Sequence, residues 1–245
     1  MSQVKWKLIG RVDKSCKCPP TVHPMPRKRR RNKDQYFVKV HHLDLSGLYS
    51  TSDSFTMYAR QEVSEMWQKL DIFASSRGKK SGLNVTGPPG TGKSMVAWAW
   101  TCYNSSRNKK NIVWIHVNKG NQKIDLCHFK DGYMHTYEEG SHELAATIKD
   151  IDADLMVVDG ATNNEYGMFS SAATSWMLKG AGKRKVAFIM SASVVISSHH
   201  LFKAGIEEWH MPSWTWENYV AACDNTAFYD QIKGFLPKKK RKKKG

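Results

Sequence analysis

The chain has 245 residues, 40% of them apolar, with nine tryptophans and a formal net charge of +16. That length suits one good-sized domain plus tails, and no run of about 18 apolar residues offers a membrane-spanning helix. The first ten residues contain Lys5 and Lys7 and no apolar stretch, so no secretory signal is expected.

The charge is unevenly spread. Residues 1–35 hold eleven Lys/Arg against two Asp/Glu, a net of +9. Residues 233–245 hold eight Lys/Arg and no acid, a net of +8, which leaves 36–232 at −1. The excess therefore belongs to the tails, and like-charge runs of this kind are expected to be solvated and unstructured. Three units follow: a basic leader over 1–35, a domain over 36–232 and a basic tail over 233–245. Pro19, Pro20, Pro24 and Pro26 precede the run Arg27-Lys28-Arg29-Arg30-Arg31, and Pro237 precedes Lys238–Lys244. Clusters 27–31 and 237–244 fit signals read by a nuclear import receptor; the alternative is a solvated tail that attracts any polyanion. The five cysteines, Cys16, Cys18, Cys102, Cys127 and Cys223, are odd in number and scattered, which points to reduced thiols. Cys16 and Cys18 with His23 resemble half a zinc site, but no second pair follows at zinc-finger spacing.

Within the domain, Phe55, Tyr58, Ala59, Val63, Met66, Trp67, Leu70 and Phe73 have the spacing of one helix face, predicting a helix over 55–73. A strand over 81–86 follows. Then comes Gly87-Pro88-Pro89-Gly90-Thr91-Gly92-Lys93-Ser94, which fits G-x-x-x-x-G-K-[ST]. Each residue type has a task in that pattern. Glycines let successive backbone N–H groups turn inward around phosphate oxygens, and the next helix adds its positive end. Lys93 reaches the β- and γ-phosphates, and the Ser94 hydroxyl holds Mg²⁺. Residues 94–104, apolar nearly all round, predict a helix packed on a central sheet.

Ile112–Val117 reads as a buried strand. Runs 124–129 and 133–137 around Asp131-Gly132 read as a hairpin, and 141–150 as a helix with Ser141 as N-cap. Leu155–Val158 is an apolar strand ending in Asp159, about 65 residues after the loop. A nucleotide-hydrolysing site needs a carboxylate at such a strand end to organise Mg²⁺; the plainer reading of Asp159-Gly160 is a turn. Position 160 is Gly, where many ATPases place a Glu to orient water. The nearest acid is Glu165, read as a loop residue, which either faces the γ-phosphate or is a solvated charge. A helix over 170–178 leads to a strand over 186–190. Ser191 or Ser193 at its end is a candidate sensor of the γ-phosphate. Arg107 and Arg184 are candidate charge-stabilising arginines. Helices over 215–223 and 224–232 close the domain, and Trp209, Trp214 and Trp216 either pack against them or stack on a base. Strands alternating with helices predict a three-layer α/β fold with a parallel sheet and short C-terminal helices, and in such sheets ligands bind at the carboxyl ends of the strands.

GPPGTGKS (87–94), NIVWIHVN (111–118), LMVVDG (155–160), FIMSAS (188–193) and MPSWTWENYVAAC (211–223) resemble the NTPase module of Crinkler effectors, with related modules in retrotransposon hot spot proteins. The similarity runs from about Tyr58 to Ile232. It implies a P-loop NTPase of the AAA-like, additional-strand class that uses ATP and Mg²⁺. It also implies action in the nucleus, often on DNA, and in many members delivery into a host cell. No ubiquitin-like header and no nuclease or kinase segment is visible, so the chain reads as an NTPase module carrying import signals. Three functions compete: Mg²⁺-dependent ATP hydrolysis coupled to a nuclear protein or DNA, a nucleotide-switched binding protein with little hydrolysis, and a basic scaffold acting through its tails. An arginine missing from the chain's own site would be supplied by a neighbouring copy in a homo-oligomer.

Overall fold

The computed structural model describes residues 7–11, 37–41, 54–76, 80–118, 123–131, 133–139, 147–148, 151–161, 163–180, 183–193, 205–224, 226, 229–230 and 233. In chain order the elements are β1 (Lys7–Arg11), β2 (Phe37–His41), β3 (Ser54–Tyr58), α1 (Gln61–Ser75), β4 (Gly82–Thr86), α2 (Lys93–Arg107), β5 (Ile112–Asn118), β6 (Lys123–Lys130) and β7 (Tyr133–Glu139). They continue with β8 (Leu155–Asp159), α3 (Asn163–Lys179), β9 (Lys185–Ile189), β10 (Ile206–His210) and α4 (Trp216–Cys223).

One sheet has the order β1-β7-β6-β5-β8-β9-β4-β10, and β2 pairs with β3 in a separate ribbon. From β5 to β10 all neighbours are parallel. β9 lies between β4 and β8, so one extra strand separates the loop-bearing strand from the strand ending in Asp159. Helices cover both faces. This is the three-layer α/β arrangement, with a mostly parallel sheet, that the P-loop fold expected from the sequence calls for. The expectation of a parallel sheet needs one correction. The predicted hairpin is β6–β7, and it extends the sheet in antiparallel fashion beyond β5. Its turn carries Asp131 at φ 55°.

Other differences have local causes. β1 lies within the stretch expected to be an unstructured leader, yet it pairs antiparallel with β7 at the sheet edge. Phe55 and Tyr58 belong to β3, so α1 begins six residues later than the predicted helix. Their spacing fits a helix face by coincidence, while their aromatic and β-rich neighbours also suit a strand. β10 is a strand that the sequence pattern does not predict, and Trp209, expected to pack on the C-terminal helices or stack on a base, stands on it and packs against the core. α3 starts at Asn163, so Glu165 lies in its first turn and not in a loop. Of the helix expected over 141–150 only residues 147–148 are described, and they are helical. Most of 224–232, the zinc half-site residues and both basic clusters lie outside the described residues.

Strand alternation divides the core into two. On one face Leu83, Val85, Trp114, Val157 and Ile189 pack with α1 and α2, the latter burying Val96, Trp98 and Trp100. Trp98 stands edge-on to Trp114 and Phe129, at 5.2 and 5.7 Å between ring centroids. On the other, Val113, Ile115, Met156, Val158 and Phe188 pack with Phe169 and Trp176 of α3. α2 is buried all round because α1 covers the side turned away from the sheet, which accounts for its apolar sequence. Each large aliphatic side chain so buried contributes about 1.5–3 kcal/mol. Among the described residues no helix is long and apolar enough to cross a membrane, and Cys102, Cys127 and Cys223 are free thiols.

Candidate nucleotide-binding site

The parallel strands bring the predicted residues to one carboxyl edge. β4 ends at Thr86 and the loop 87–92 carries the chain into α2. Gly90 and Gly92 adopt φ of +75° and +91°, where a Cβ would meet open space. Glycine is therefore needed there for the left-handed backbone and not for room. Gly92 is the N-cap of α2, no side chain caps the helix, and its first turn has no acid. The orphan amides and the positive end of the helix dipole thus face the loop.

Lys93 folds back over this loop. Its Nζ donates to the Gly87 and Pro88 carbonyls, each at 2.8 Å, and to Thr91 Oγ1 at 3.2 Å. Thr91 Oγ1 in turn donates to the Pro88 carbonyl at 3.0 Å. One residue on, the Ser94 hydroxyl donates to Asp159 Oδ1 at 2.7 Å across 65 residues of sequence. Asp159 is 1% exposed at the end of β8. The loop and the carboxylate expected to partner it are in direct contact.

Two residues complete this edge that the sequence reading did not single out. His116, paired in register with Asp159 on the neighbouring β5, donates from Nδ1 to Asp159 Oδ2 at 2.7 Å. Arg60, just before α1, is buried and donates to the carbonyls of Thr91 (3.3 Å), Pro212 (2.8 Å) and Ser213 (3.0 Å). Burial holds its pKa below the usual arginine value, with Glu62 and Tyr219 opposing the shift. Its guanidinium also lies 5.4 Å from the Trp214 ring, which stacks on Tyr219 at 4.9 Å and meets Tyr58 at 5.8 Å. Arg60 ties the phosphate loop to the Pro212-Ser213-Trp214 segment. An isolated arginine at position 60 carries no sequence signal for that role. His116 is marked only as a polar residue within an apolar strand, and its place beside Asp159 comes from strand register.

Gly160 has φ +81°, and a Cβ there would stand 2.8 Å from the Val117 carbonyl oxygen. The position at which many ATPases carry a Glu has no room for a side chain on this backbone. Glu165 is in the first turn of α3, and its side chain lies outside the described residues. Ser191 follows β9; Ala192 N–H donates to the Gly87 carbonyl at 2.9 Å, which sets this segment beside the loop. The Ser191 and Ser193 hydroxyls are 3.1 Å apart. Arg107 and Arg184 are elsewhere. Arg107 ends α2, roughly 20 Å from Lys93 along the helix axis. Arg184 precedes β9 at the opposite sheet edge, where it donates to the Trp176 carbonyl at 3.1 Å and lies over that ring. Trp216, at the start of α4, is 75% exposed.

The donor set suits a hard cation. Among the described residues no cluster of three or more His, Cys, Asp or Glu could cage a metal. Ser94 and Asp159 offer a hydroxyl and a carboxylate oxygen side by side, and Mg²⁺ is commonly held by one or two protein oxygens plus phosphate and water.

No family model matches this chain, and no curated protein matches it in sequence. Solved structures similar to it include AMPPCP-bound DnaA from Aquifex aeolicus, at 11% identity and a TM-score of 0.41 over 73% of this chain and 53% of that one. Another is the wild-type Clp1p–Pcf11p complex, at 11% identity and a TM-score of 0.37 over 76% of this chain and 50% of that one. The chain spans about half the length of each.

Proposed function

We propose that the chain binds ATP with Mg²⁺ at Gly87–Ser94 and hydrolyses it, as the resemblance to the Crinkler NTPase module implies. The observation that carries the reading is the 2.7 Å contact between Ser94 Oγ and Asp159 Oδ1. It joins two motif residues that only the nucleotide reading connects. The amides of the loop and the start of α2 would take the phosphates. Lys93 would exchange its own loop carbonyls for β- and γ-phosphate oxygens. Ser94 and Asp159 would hold Mg²⁺, which when bound supplies charge neutralisation on the phosphates. Ser191 and Glu165 are the groups proposed to face the γ-phosphate.

Comparing wild type with Lys93→Ala and Asp159→Ala tests this. Binding of a fluorescent ATP analogue is expected to disappear in the first variant, and phosphate release in the second. Wild-type affinity in Lys93→Ala would sink the reading. A second function, a nucleotide-switched binding protein with slow or no hydrolysis, is favoured by Gly160, where an acid has no room. Single-turnover phosphate release at saturating ATP separates the two. The place of action proposed is the nucleus, with import through 27–31 and 237–244 and DNA or a nuclear protein as partner. The concentration of the entire +16 excess charge in the tails supports it. With Arg107 and Arg184 remote from the loop, an arginine for the transferred phosphate would come from a neighbouring copy.

A further inference from the structure

Asp159 has both carboxylate oxygens engaged by side chains, and the two partners differ in kind. Oδ1 meets Ser94, the first hydroxyl of α2 and a member of the phosphate-binding motif. Oδ2 meets His116, which lies outside the phosphate-binding motif and comes from the next strand. An ionised carboxylate only accepts, so the imidazole carries its proton on Nδ1. Both groups are buried, Asp159 at 1% and His116 at 9% exposure, and a hydrogen bond is stronger there than in water. The strands do not need this bond, since β5 and β8 are already paired in register from Ile112–Leu155 to His116–Asp159. A carboxylate is otherwise free about its terminal torsion, whose well is broad and two-fold.

We propose that His116 is a positioning residue for the Mg²⁺ site: its Nδ1–H fixes Asp159 Oδ2, so that Oδ1 stays turned toward Ser94 and the loop. The assignment rests on the ATP·Mg²⁺ reading above. Gly160 itself has no room for a side chain, since a Cβ there would stand 2.8 Å from the Val117 carbonyl oxygen. The residue next to Asp159 in sequence is thus excluded from supporting it, and the residue next to it in register does so. Groups that orient metal-binding side chains in this way change metal affinity about 10- to 100-fold when removed.

The test titrates Mg²⁺ into the full chain with a fluorescent ATP analogue and compares each Mg²⁺ midpoint with binding in EDTA. His116→Phe should raise the midpoint about tenfold or more while leaving affinity in EDTA near wild type. His116→Asn, whose Nδ2 stands where Nδ1 stood, should restore the midpoint to within about threefold. His116→Gln, which carries its amide one bond farther out, should not. If His116→Phe does not fold, the contrast between Asn and Gln decides by itself. A wild-type midpoint in Phe and Gln, or an Asn variant as impaired as Gln, overturns the assignment. Wild type that binds no nucleotide with or without Mg²⁺ overturns the ATP reading, and this assignment with it.

Discussion

Two lysines in this fold are equally buried and do opposite things. Lys93 at the carboxyl edge is 7% exposed, and Lys185 at the amino edge is 8% exposed. Each Nζ donates to three oxygens. Lys185 donates to the Phe73 and Ser76 carbonyls and, at 2.8 Å, to Ser76 Oγ, and it lies 5.2 Å from the Phe73 ring. Those acceptors belong to the last turn of α1, the negative end of the helix, where a cation is stabilised. Burial pushes the Lys185 pKa down, with Lys110 adding to the effect, and these acceptors answer that cost. Lys93 stands instead at the first position of α2, at the positive end, with no acid in that turn. Its acceptors are two carbonyls and the Thr91 hydroxyl of its own glycine loop. A cation among inward-facing amides gains most when an anion arrives. The same side chain closes one helix and prepares the start of another, and the difference lies in the helix end.

The largest effect expected from this contrast is on ligand binding. Lys93→Ala should weaken ATP by about a thousandfold, ~4 kcal/mol, because a buried charge-assisted contact to phosphate is lost. Its melting temperature without ligand should stay within about 2 °C of wild type or rise, because the variant relieves a cation at the wrong helix end. Calorimetric titration and a thermal melt on the same sample check both. Lys185→Met should reverse the pattern. It leaves the buried Phe73 carbonyl and the half-buried Ser76 carbonyl without their donor and should cost about 3 kcal/mol, lowering Tm by roughly 6–12 °C in a domain of this size. Its ATP affinity at low temperature should stay within about threefold of wild type, since Lys185 bonds the far end of α1, at the sheet edge opposite the loop. If Lys185→Met loses ATP as Lys93→Ala does, the two edges are not independent.

The sequence made the carboxyl edge readable where its residues are contiguous. The β4–loop–α2 unit is one unbroken stretch with a pattern tied to its chemistry, and Asp159 closes a short apolar run of strand length. What escaped depends on contacts between distant segments. β10 reads Ile-Glu-Glu-Trp-His, with neither an apolar run nor clean alternation, because it is an edge strand whose Glu207 bonds Lys69. It is a strand because β4 offers a free edge, and pairing of that kind leaves little trace in composition. Arg60 and His116 escaped for the same reason. One is placed by the turn before α1 and the other by strand register, and neither is near Thr91 or Asp159 in sequence. The amino edge went unread because its polar groups close backbone ends and follow no motif.

That amino edge should also respond to pH in a way the loop does not. His128 donates from Nε2 to Asn111 Oδ1 at 2.7 Å, and Asn111 Nδ2 donates to the Asp152 carbonyl at 2.8 Å. Burial, then the charges of Lys130 and His135, hold the His128 pKa down at about 4. In the unfolded chain an ordinary histidine takes up a proton near 6.5. Between those values the unfolded state binds a proton that the folded state refuses, so stability is present above about pH 6.5 and is lost as the pH falls toward 4. About 2 kcal/mol should disappear between pH 7 and pH 5. Urea unfolding at the two pH values measures it, and His128→Gln should flatten the difference. An equal slope in the variant would assign the acid sensitivity to other groups.

The smallest effect bears most directly on chemistry at the loop. Gly160→Ala should cost about 1–2 kcal/mol, because φ of +81° is strained for any residue with a Cβ. That Cβ would also press on the Val117 carbonyl oxygen at 2.8 Å, a backbone atom fixed at the end of β5. Gly160→Glu should lose similar stability and should not raise ATP hydrolysis, although it restores an acid beside Asp159. The backbone that would have to carry the acid is bonded on both sides: Gly160 N–H donates to the Ile189 carbonyl at 3.1 Å, and Asp159 is held by Ser94 and His116. A carboxylate there could reach the γ-phosphate side only by displacing β5 or the carboxylate it was meant to assist. A tenfold gain in multiple-turnover hydrolysis by Gly160→Glu would mean that the edge yields, and that the glycine is a lost acid. No gain, with the stability of Gly160→Ala, would mean that glycine is the residue this carboxylate site is built around.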